Sequence, residues 1–188
     1  MDSEAVDRFL GGDERAFDAL VQRHRQRIFD LVYRMTNDRD WAEDITVEVF
    51  VEVFRSLPKF QKKAKFGTWL HRIALNVCLE NIRQRKAKKY VPEVPLEEAE
   101  LASVSDPAQS AARGDSAARV MAAMQTLPEV HRAAVTMFYL EERSCAEIAE
   151  ILHIPRNTAK TRIFYATRVL RDNLRAQGIL PQSGGASE

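Results

Sequence analysis

Residues 144–175 decide the fold of the second half of the chain, and they read SCAEIAEILHIPRNTAKTRIFYATRVLRDNLR. The segment from Ser144 to Glu147 is a capping box, which begins a helix, and apolar spacing continues that helix to Leu152. After a three-residue break, a long basic amphipathic helix runs to about Gln177. A short helix, a tight turn and a longer basic helix are typical of a helix–turn–helix, whose second helix enters the major groove of DNA.

The exposed positions of this second helix are the candidates for contact with DNA. Arginine and lysine suit guanine edges and phosphates, and an aromatic ring or a methyl group suits the thymine methyl. The candidates are Arg156, Asn157, Thr158, Lys160, Thr161, Arg162, Phe164, Tyr165 and Arg168. The predicted buried face is Ala159, Ile163, Ala166 and either Val169 or Leu170. The alternative from the same residues is an ordinary antiparallel helix pair.

The rest of the chain is also helical by its pattern. Apolar residues three and four apart predict helices over residues 13–36, 40–56, 68–88, 115–125 and 128–141. In the third helix we expect Thr68 as N-cap and Trp69, Ile73 and Val77 as the buried stripe. Strand patterns are almost absent, so the predicted fold class is all-α.

The helical periodicity fails over residues 90–114, where prolines, Ser, Ala and an acidic excess predict a flexible linker. The chain is therefore predicted to form two small helical domains, over residues 1–89 and 115–178. Residues 179–188 are predicted to be a disordered tail.

Composition excludes several classes of protein. Of 188 residues, 45% are hydrophobic and 29% are charged, values typical of a globular domain. Cys78 and Cys145 lie 67 positions apart, which excludes a disulfide scaffold and a cysteine-rich zinc site. No apolar run approaches the roughly 18 residues of a transmembrane helix, and the acidic N-terminus is unlike a signal sequence. We expect a cytoplasmic protein with no membrane contact of its own.

The net charge of +1 conceals an alternation of sign along the chain. Residues 1–58 are acidic overall, with 8 basic and 13 acidic side chains, and residues 59–90 are strongly basic, with 10 basic and 1 acidic. Residues 91–118 are again acidic, with 1 basic and 6 acidic side chains, and residues 119–188 are slightly basic, with 9 basic and 7 acidic. Two separate basic regions favour two contacts with a polyanion, although two solvated helix faces would give the same counts.

The first basic region places aromatic rings beside cations, as single-stranded nucleic acid requires, because rings stack on bases and cations follow phosphates. The rings are Phe60, Phe66 and Trp69, and the cations are Lys59, Lys62, Lys63, Lys65, Arg72, Arg83, Arg85, Lys86, Lys88 and Lys89. The alternative is that the rings belong to the core. The loop Gln61–Lys65 has no packing reason to be there, which favours the nucleic-acid interpretation.

No pattern of catalytic residues stands out. The acidic run around Glu43, Asp44 and Glu48 lacks the facing histidines or carboxylates that a metal cluster needs. A Glu-x-x-His spacing occurs once, at a helix end, and no Gly-rich phosphate loop or nucleophile motif is present. We expect no enzymatic activity, no metal and no cofactor.

Three segments follow the order and spacing of one protein family. They are DWAEDITVEVF at residues 40–50, FGTWLHRIALN at residues 66–76, and a third segment at residues 127–162. The third begins with Leu-Pro and contains AEIAEIL, Ile-Pro and TAKTR in that order. Together they resemble the extracytoplasmic-function (ECF, group IV) sigma factors of the sigma-70 family. The resemblance implies an alternative sigma factor that binds core RNA polymerase, recognises promoters and promotes their melting, while the polymerase does the catalysis.

The resemblance also implies partners and site residues. The first domain would bind the β′ clamp helices and the −10 element, and the second would contact the β flap and read the double-stranded −35 element. Clamp contacts would be Glu43, Asp44 and Glu48. The loop residues Lys59, Gln61, Lys62, Lys63, Lys65 and Phe66 would hold a base flipped from the melted non-template strand, with Arg72, Asn76 and Arg83 beside it. An anti-sigma factor would bind apolar faces exposed when the domains separate.

Departures from the family pattern occur at Val47, where the family usually has Gln, and at His153 and Asn157, where it has Gly. A milder departure is Glu80, which replaces Asp. We expect Asn157 to be accommodated, because Asn is the next-best residue for a positive-φ turn. The effect of His153 on the turn stays open.

The alternative function is a helix–turn–helix transcription regulator that acts without joining polymerase. This function explains the pattern of residues 115–175 but leaves the pattern of residues 40–89 unexplained. An RNA-binding module accounts for residues 59–89 but not for the helix–turn–helix. A regulator should bind promoter duplex alone, whereas the sigma type usually needs core polymerase.

Overall fold

The computed structural model describes residues 2–89 and 114–180, and over these ranges it holds eight α-helices and no strand. They are α1 (Asp2–Leu10), α2 (Arg15–Thr36), α3 (Arg39–Ser56), α4 (Phe66–Lys89), α5 (Gly114–Gln125), α6 (Glu129–Tyr139), α7 (Cys145–Leu152) and α8 (Arg156–Ala176). A 3-10 turn over Leu57–Lys59 follows α3. The all-α prediction is confirmed. Nearly all of the predicted linker, and the predicted tail from residue 181, lie outside the described residues.

Helices α1 to α4 form the first bundle. The first of them packs on α2, and α2, α3 and α4 pack on one another, because each has an apolar stripe that its neighbours cover. Leu20, Ile28 and Leu31 of α2 are among the most deeply buried side chains. The side chain of Asp38 caps α3 by accepting a 3.1 Å hydrogen bond from the amide of Trp41.

The buried stripe of α4 differs from the prediction. Because the helix begins at Phe66, Thr68 lies inside its first turn and does not cap it. The buried positions are Phe66, Thr68, Leu70, His71, Ala74, Leu75, Cys78 and Ile82, whereas the predicted Trp69, Ile73 and Val77 are half-buried. The physical reason is that α2, α3 and also α7 cover α4, which widens the buried face and moves its centre.

Helices α5 to α8 form the second bundle, in which α8 packs on α5, α6 and α7. Ala159, Ile163 and Ala166 are buried, as predicted. Leu170, and not Val169, completes the stripe, because Leu170 packs on a small apolar cluster while Val169 is 40% exposed.

The helix–turn–helix forms as the sequence predicts. Oγ of Ser144 accepts from the amide of Glu147 at 3.2 Å, and Glu147 accepts from the amide of Ser144 at 3.0 Å, which completes the capping box. The turn after α7 is left-handed at His153, with a φ of 51°. Asn157 is accommodated, but not in a positive-φ turn, because it lies in the first turn of α8 and the positive φ falls on His153.

The two bundles pack against each other, with α2 on α5 and α6, and α4 on α7. One apolar cluster continues through both bundles. Arg132 is only 7% exposed, and its guanidinium donates to the carbonyls of Gln125 and Leu127 at 3.0 Å each. The same guanidinium donates to the carbonyl of Met35 in the first bundle. A buried cation therefore joins the bundles.

A second polar contact, the interdomain clasp, consists of His71, Glu141 and Arg143. Nδ1 of His71 lies 2.7 Å from the carbonyl of Gly67, and Nε2 lies 2.8 Å from Oε2 of Glu141. Nε of Arg143 donates to the same oxygen at 2.8 Å. The side chains of His71 and Glu141 are 1% and 8% exposed. Burial alone would raise the pKa of Glu141, but the hydrogen bonds and charges of His71 and Arg143 outweigh it and hold that pKa below its usual value.

Replacing His153 with Gly should stabilise the protein, because Gly has no Cβ to oppose a left-handed backbone. The strain at a non-glycine residue is roughly 1–2 kcal/mol, partly offset by the greater freedom of Gly in the unfolded chain. We expect the free energy of unfolding of His153→Gly to rise by about 0.5–1 kcal/mol, measured by urea unfolding. His153→Ala is the matched control. The alanine variant removes the imidazole but keeps Cβ. If it raises the free energy of unfolding as much as His153→Gly does, the gain comes from loss of the imidazole and not from relief of the left-handed backbone.

The clasp should make stability fall in acid. The pKa of Glu141 is lowered in the folded state, so its contribution is complete above the unfolded-state pKa of about 4.3 and is lost as pH falls through the folded value. Between about pH 6 and about pH 3, the wild type should lose more unfolding free energy than Glu141→Gln. Denaturant unfolding at both pH values measures this. Glu142→Gln, at the exposed neighbouring carboxylate, should lose as much as the wild type. Equal losses in all three proteins would contradict the clasp.

Candidate nucleic-acid and protein interfaces

The outer surface of α3 carries the three predicted clamp-contact acids. Glu43, Asp44 and Glu48 are all exposed. Glu43 pairs with Arg39 at 3.6 Å, and Oε2 of Glu48 accepts a 2.8 Å hydrogen bond from Nδ2 of Asn81 on α4. The acids therefore form one anionic edge, and one of them is held in place by the neighbouring helix.

An apolar groove of about 470 Å³ lies between α2 and α3 beside these acids. Its apolar walls are Phe17, Val21, Val47, Phe50, Val51 and Phe54. Val47 is 60% exposed and Phe54 39%. Sequence reasoning missed the groove, although the spacing of Val47, Val51 and Phe54 marks a second apolar face of α3. Such a groove suits the apolar face of an amphipathic helix.

A cleft of about 650 Å³ lies beside the loop between α3 and α4, and we call it the cationic cleft. Lys62, Lys63 and Lys65 of the loop and Arg27 of α2 line it. The predicted residues Lys59, Gln61, Lys62, Lys63 and Lys65 are all exposed. The loop thus offers several cations within one concave surface, as a strand of phosphates requires.

Helix α1 lies along the cationic cleft and supplies it with acids. Asp7 pairs with Lys62, and Asp2 pairs with Arg23 and lies 3.1 Å from Nε2 of His24. Burial would raise the pKa of Asp2, but the hydrogen bond from Arg23 and the charge of His24 hold it below its usual value. Burial lowers the pKa of His24. Asp2 and Asp7 therefore each pair with a cation near the cleft, and Lys62 is one that a bound strand would use.

Phe66 lies in the core, although it was predicted as a DNA contact. Its ring is 5% exposed and lies 5.9 Å from that of Trp69, 6.1 Å from that of Phe60 and 5.5 Å from that of His24. Contact with a base would require the ring to leave this cluster. In the structure, Phe66 lines the cleft together with the half-buried Phe60, whereas the half-buried Trp69 packs on both rings and does not line it.

The structure does not bring the three predicted residues of α4 into the cationic cleft. Arg72 is half-buried, and its Nη2 donates to the main-chain carbonyl of Glu150 in α7 at 3.0 Å. Asn76 lines a separate groove between α3 and α4. Arg83 is exposed near the end of the helix and pairs with Glu80 at 3.6 Å.

The exposed face of α8 carries most of the predicted major-groove contacts. Exposed residues are Arg156, Asn157, Lys160, Thr161, Phe164, Tyr165 and Arg168, while Thr158 and Arg162 are half-buried. Phe164 is 65% exposed and Tyr165 52%. The two rings lie 5.9 Å apart, so they form one exposed apolar patch, and such patches mark candidate interaction surfaces. Burial lowers the pKa of His131 on α6, and the charge of Arg162 lowers it further.

Within residues 2–89 and 114–180, no helix is both long and apolar enough to cross a membrane. In the same residues, no three His, Cys, Asp or Glu side chains come together as a metal site requires.

Comparison with known proteins gives consistent results for both bundles. The family models Sigma-70 region 2 and Sigma-70, region 4 match residues 20–88 and 117–168. RNA polymerase sigma-H factor of Pseudomonas aeruginosa is 32% identical over 176 residues, which cover 90% of this chain and 91% of that protein. ECF RNA polymerase sigma factor SigW of Bacillus subtilis is 33% identical over 177 residues, which cover 87% of this chain and 91% of that protein.

Among solved structures, the sigma factor RpoE of Bartonella quintana, in complex with the anti-sigma factor NepR, has a TM-score of 0.66. It is 17% identical, and the match covers 85% of this chain and 96% of that one. At this identity the likeness concerns the fold.

Proposed function

The chain belongs to the extracytoplasmic-function sigma factors of the sigma-70 family, and we propose that it binds core RNA polymerase as an alternative sigma factor. It recognises −35 and −10 promoter elements and promotes melting of the promoter in the cytoplasm. One observation carries the proposal. This chain of the family has both a helix–turn–helix with an exposed aromatic and basic face and a separate cationic cleft.

The outer surface of α3 is the proposed contact with the β′ clamp helices. Its acidic edge attracts basic helices, and the adjoining apolar groove buries their apolar side chains. The charges guide association, while apolar burial supplies affinity, so both parts of the surface are needed. The second bundle contacts the β flap.

The cationic cleft is the proposed site for the melted non-template strand at −10. Lys62, Lys63 and Lys65 follow its phosphates, and a base extruded from the duplex is held beside the half-buried ring of Phe60. The chain forms and breaks no covalent bond, because polymerase does the catalysis. Its contribution to melting is to trap bases that leave the stack.

The exposed face of α8 is the proposed reader of the −35 duplex. Lys160 and Phe164 project from its first turns, where a recognition helix meets base edges. Arg168 follows one turn later and is placed to contact a phosphate.

An anti-sigma factor is the proposed regulatory partner. The support is the exposed apolar groove on α3, together with the fold shared with a sigma factor solved bound to an anti-sigma factor. A partner that covered this groove would exclude core polymerase from it.

Run-off transcription with core polymerase on a promoter library, with and without the chain, tests the function. A set of promoters that is transcribed only when the chain is present supports the proposal. If the chain binds promoter duplex tightly without core and supports no transcription, it acts as a helix–turn–helix regulator that does not join polymerase.

Charge reversal on α3 should prevent assembly with core. Asp44→Arg combined with Glu48→Lys replaces attraction with repulsion, and loss of desolvated charge pairs costs roughly 2–5 kcal/mol of binding. We expect the double variant to lose co-purification with core while its circular dichroism stays unchanged. Asp18→Arg, at an exposed acid on α2, is the control and should assemble normally. Undiminished co-purification of the double variant would remove α3 from the interface.

Alanine substitutions on α8 should separate reading from positioning. Lys160→Ala and Phe164→Ala should cost about 1–3 kcal/mol on the cognate −35 element and much less on altered elements. Arg168→Ala should weaken binding equally on all promoters and reduce the salt slope by about one. Competition binding of reconstituted holoenzyme to −35 variants at two salt concentrations measures both. An even loss across all variants for Lys160→Ala and Phe164→Ala would place sequence reading elsewhere.

A further inference from the structure

We infer that an ion pair between Asp7 and Lys62, which we call the latch, lowers the affinity of the cationic cleft for every single strand, whatever its sequence. This inference rests on the proposed −10 role of the cleft. Asp7 belongs to α1 and holds one cation of the loop between α3 and α4. The latch must therefore open before Lys62 contacts a phosphate, and Asp7 sets how much of the loop's charge a strand can use.

The latch engages one cation of the loop and leaves its neighbours free. Nζ of Lys62 donates to Oδ1 of Asp7. Within residues 2–89 and 114–180, neither Lys63 nor Lys65 has a carboxylate at ion-pair distance. All three lysines line the cationic cleft. Asp7 therefore withdraws one member from a set of three cations that a strand of phosphates would otherwise meet together.

Helix α1 is a firm support for the acidic half of the latch. Val6, next to Asp7, is fully buried, and Phe9 is 9% exposed. The ring of Phe9 lies 5.8 Å from that of Phe17 in α2 and 5.3 Å from that of Phe54 in α3. These contacts fix α1 on the first bundle, so the carboxylate of Asp7 stays at the cleft when the loop moves.

The basic half of the latch lies at a strained point of the loop. Lys62 has a φ of 56°, in the left-handed region that L side chains rarely adopt. Such a conformation persists only where other contacts hold it. In the part of the chain that the structure describes, the pair with Asp7 is the one polar contact of the Lys62 side chain. Opening the latch therefore frees both the ammonium group and the backbone beneath it.

Exposure to solvent keeps the latch weak enough to open. The side chains of Lys62 and Asp7 are 46% and 55% exposed, and exposed ion pairs contribute little free energy. A phosphate offers Lys62 a full charge and several acceptor oxygens, so it can replace the carboxylate. After the exchange, the freed carboxylate of Asp7 remains near the strand and repels its phosphates. Neither effect depends on the bases, so the latch opposes all strands equally.

The test compares two single-carboxylate variants of α1. Asp7→Asn removes the charge of the latch and keeps the shape of the side chain. Glu4→Gln makes the same change in net charge at an exposed acid that pairs with no cation among the described residues. Fluorescence anisotropy with two labelled single strands of about 12 nucleotides, one oligo-dT and one of mixed sequence, measures affinity. The measurement uses the full chain and the holoenzyme reconstituted from it.

We expect Asp7→Asn to bind both oligonucleotides about threefold more tightly, a size set by the small free energy of an exposed ion pair. Glu4→Gln should match the wild type. A double-mutant cycle assigns the gain to the latch. In a Lys62→Gln background, Asp7→Asn should have no effect, because the cation that it releases is gone. In a Lys63→Gln background, the threefold gain should remain, because Lys63 is outside the latch.

Weaker strand binding by Asp7→Asn would overturn the inference, because the pair would then hold the loop ready for the strand. Unchanged binding, or a gain that persists in the Lys62→Gln background, would overturn it as well. Run-off transcription with core polymerase keeps the two proposals distinct. If Asp7→Asn binds strands more tightly but the chain never supports transcription, the proposed function fails and the latch stands. If the chain supports transcription but Asp7→Asn binds strands like the wild type, the latch fails and the function stands.

Discussion

Burial of charge between the two bundles is the constraint on which the rest of the arrangement depends. Apolar side chains alone would allow the bundles to slide over each other, because hydrophobic contact has no preferred direction. Glu141 and Arg132 have less freedom, since a shift between the bundles would break the contact of Glu141 with His71 and the hydrogen bond from Arg132 to the carbonyl of Met35. Their hydrogen bonds set the positions of α7 against α4 and α6 against α2, and through them the position of the recognition helix.

The cationic surfaces of the first bundle are partly neutralised by the protein itself. Asp7 pairs with Lys62, Asp2 pairs with Arg23, and a main-chain carbonyl of α7 accepts from Arg72. A phosphate, which carries a full charge and several acceptor oxygens, would compete with these acceptors for the same cations. The face of α8 has no such internal competitor among its most exposed residues, Phe164 and Tyr165.

The sequence was sufficient where the structure depends on local pattern. The capping box at Ser144, the helix order and the exposed rings of α8 all follow from spacing and residue type. The sequence was insufficient where packing against distant elements, above all the second bundle, determines which residues are buried. The stripe of α4 shifted because α7 covers it, and Phe66 became core because α2 and the loop close over it. A buried Arg132 has no local signature, since arginine is expected at the surface until a partner bundle supplies its acceptors.

The two departures from the family pattern that bear on the outer surfaces have different physical consequences. His153 adopts the left-handed conformation that Gly would supply, so the turn keeps its geometry and the cost is paid in stability alone. Val47 changes the chemistry of a surface, because it extends the apolar groove where a polar side chain would interrupt it. A partner helix that packs on Val47 gains free energy from apolar burial, which salt does not screen. It loses the directional hydrogen bond that a Gln side chain at this position could make. In the proposed contact with the clamp helices, the exposed acids at positions 43, 44 and 48 are therefore left as the main polar groups of α3 that could orient the partner.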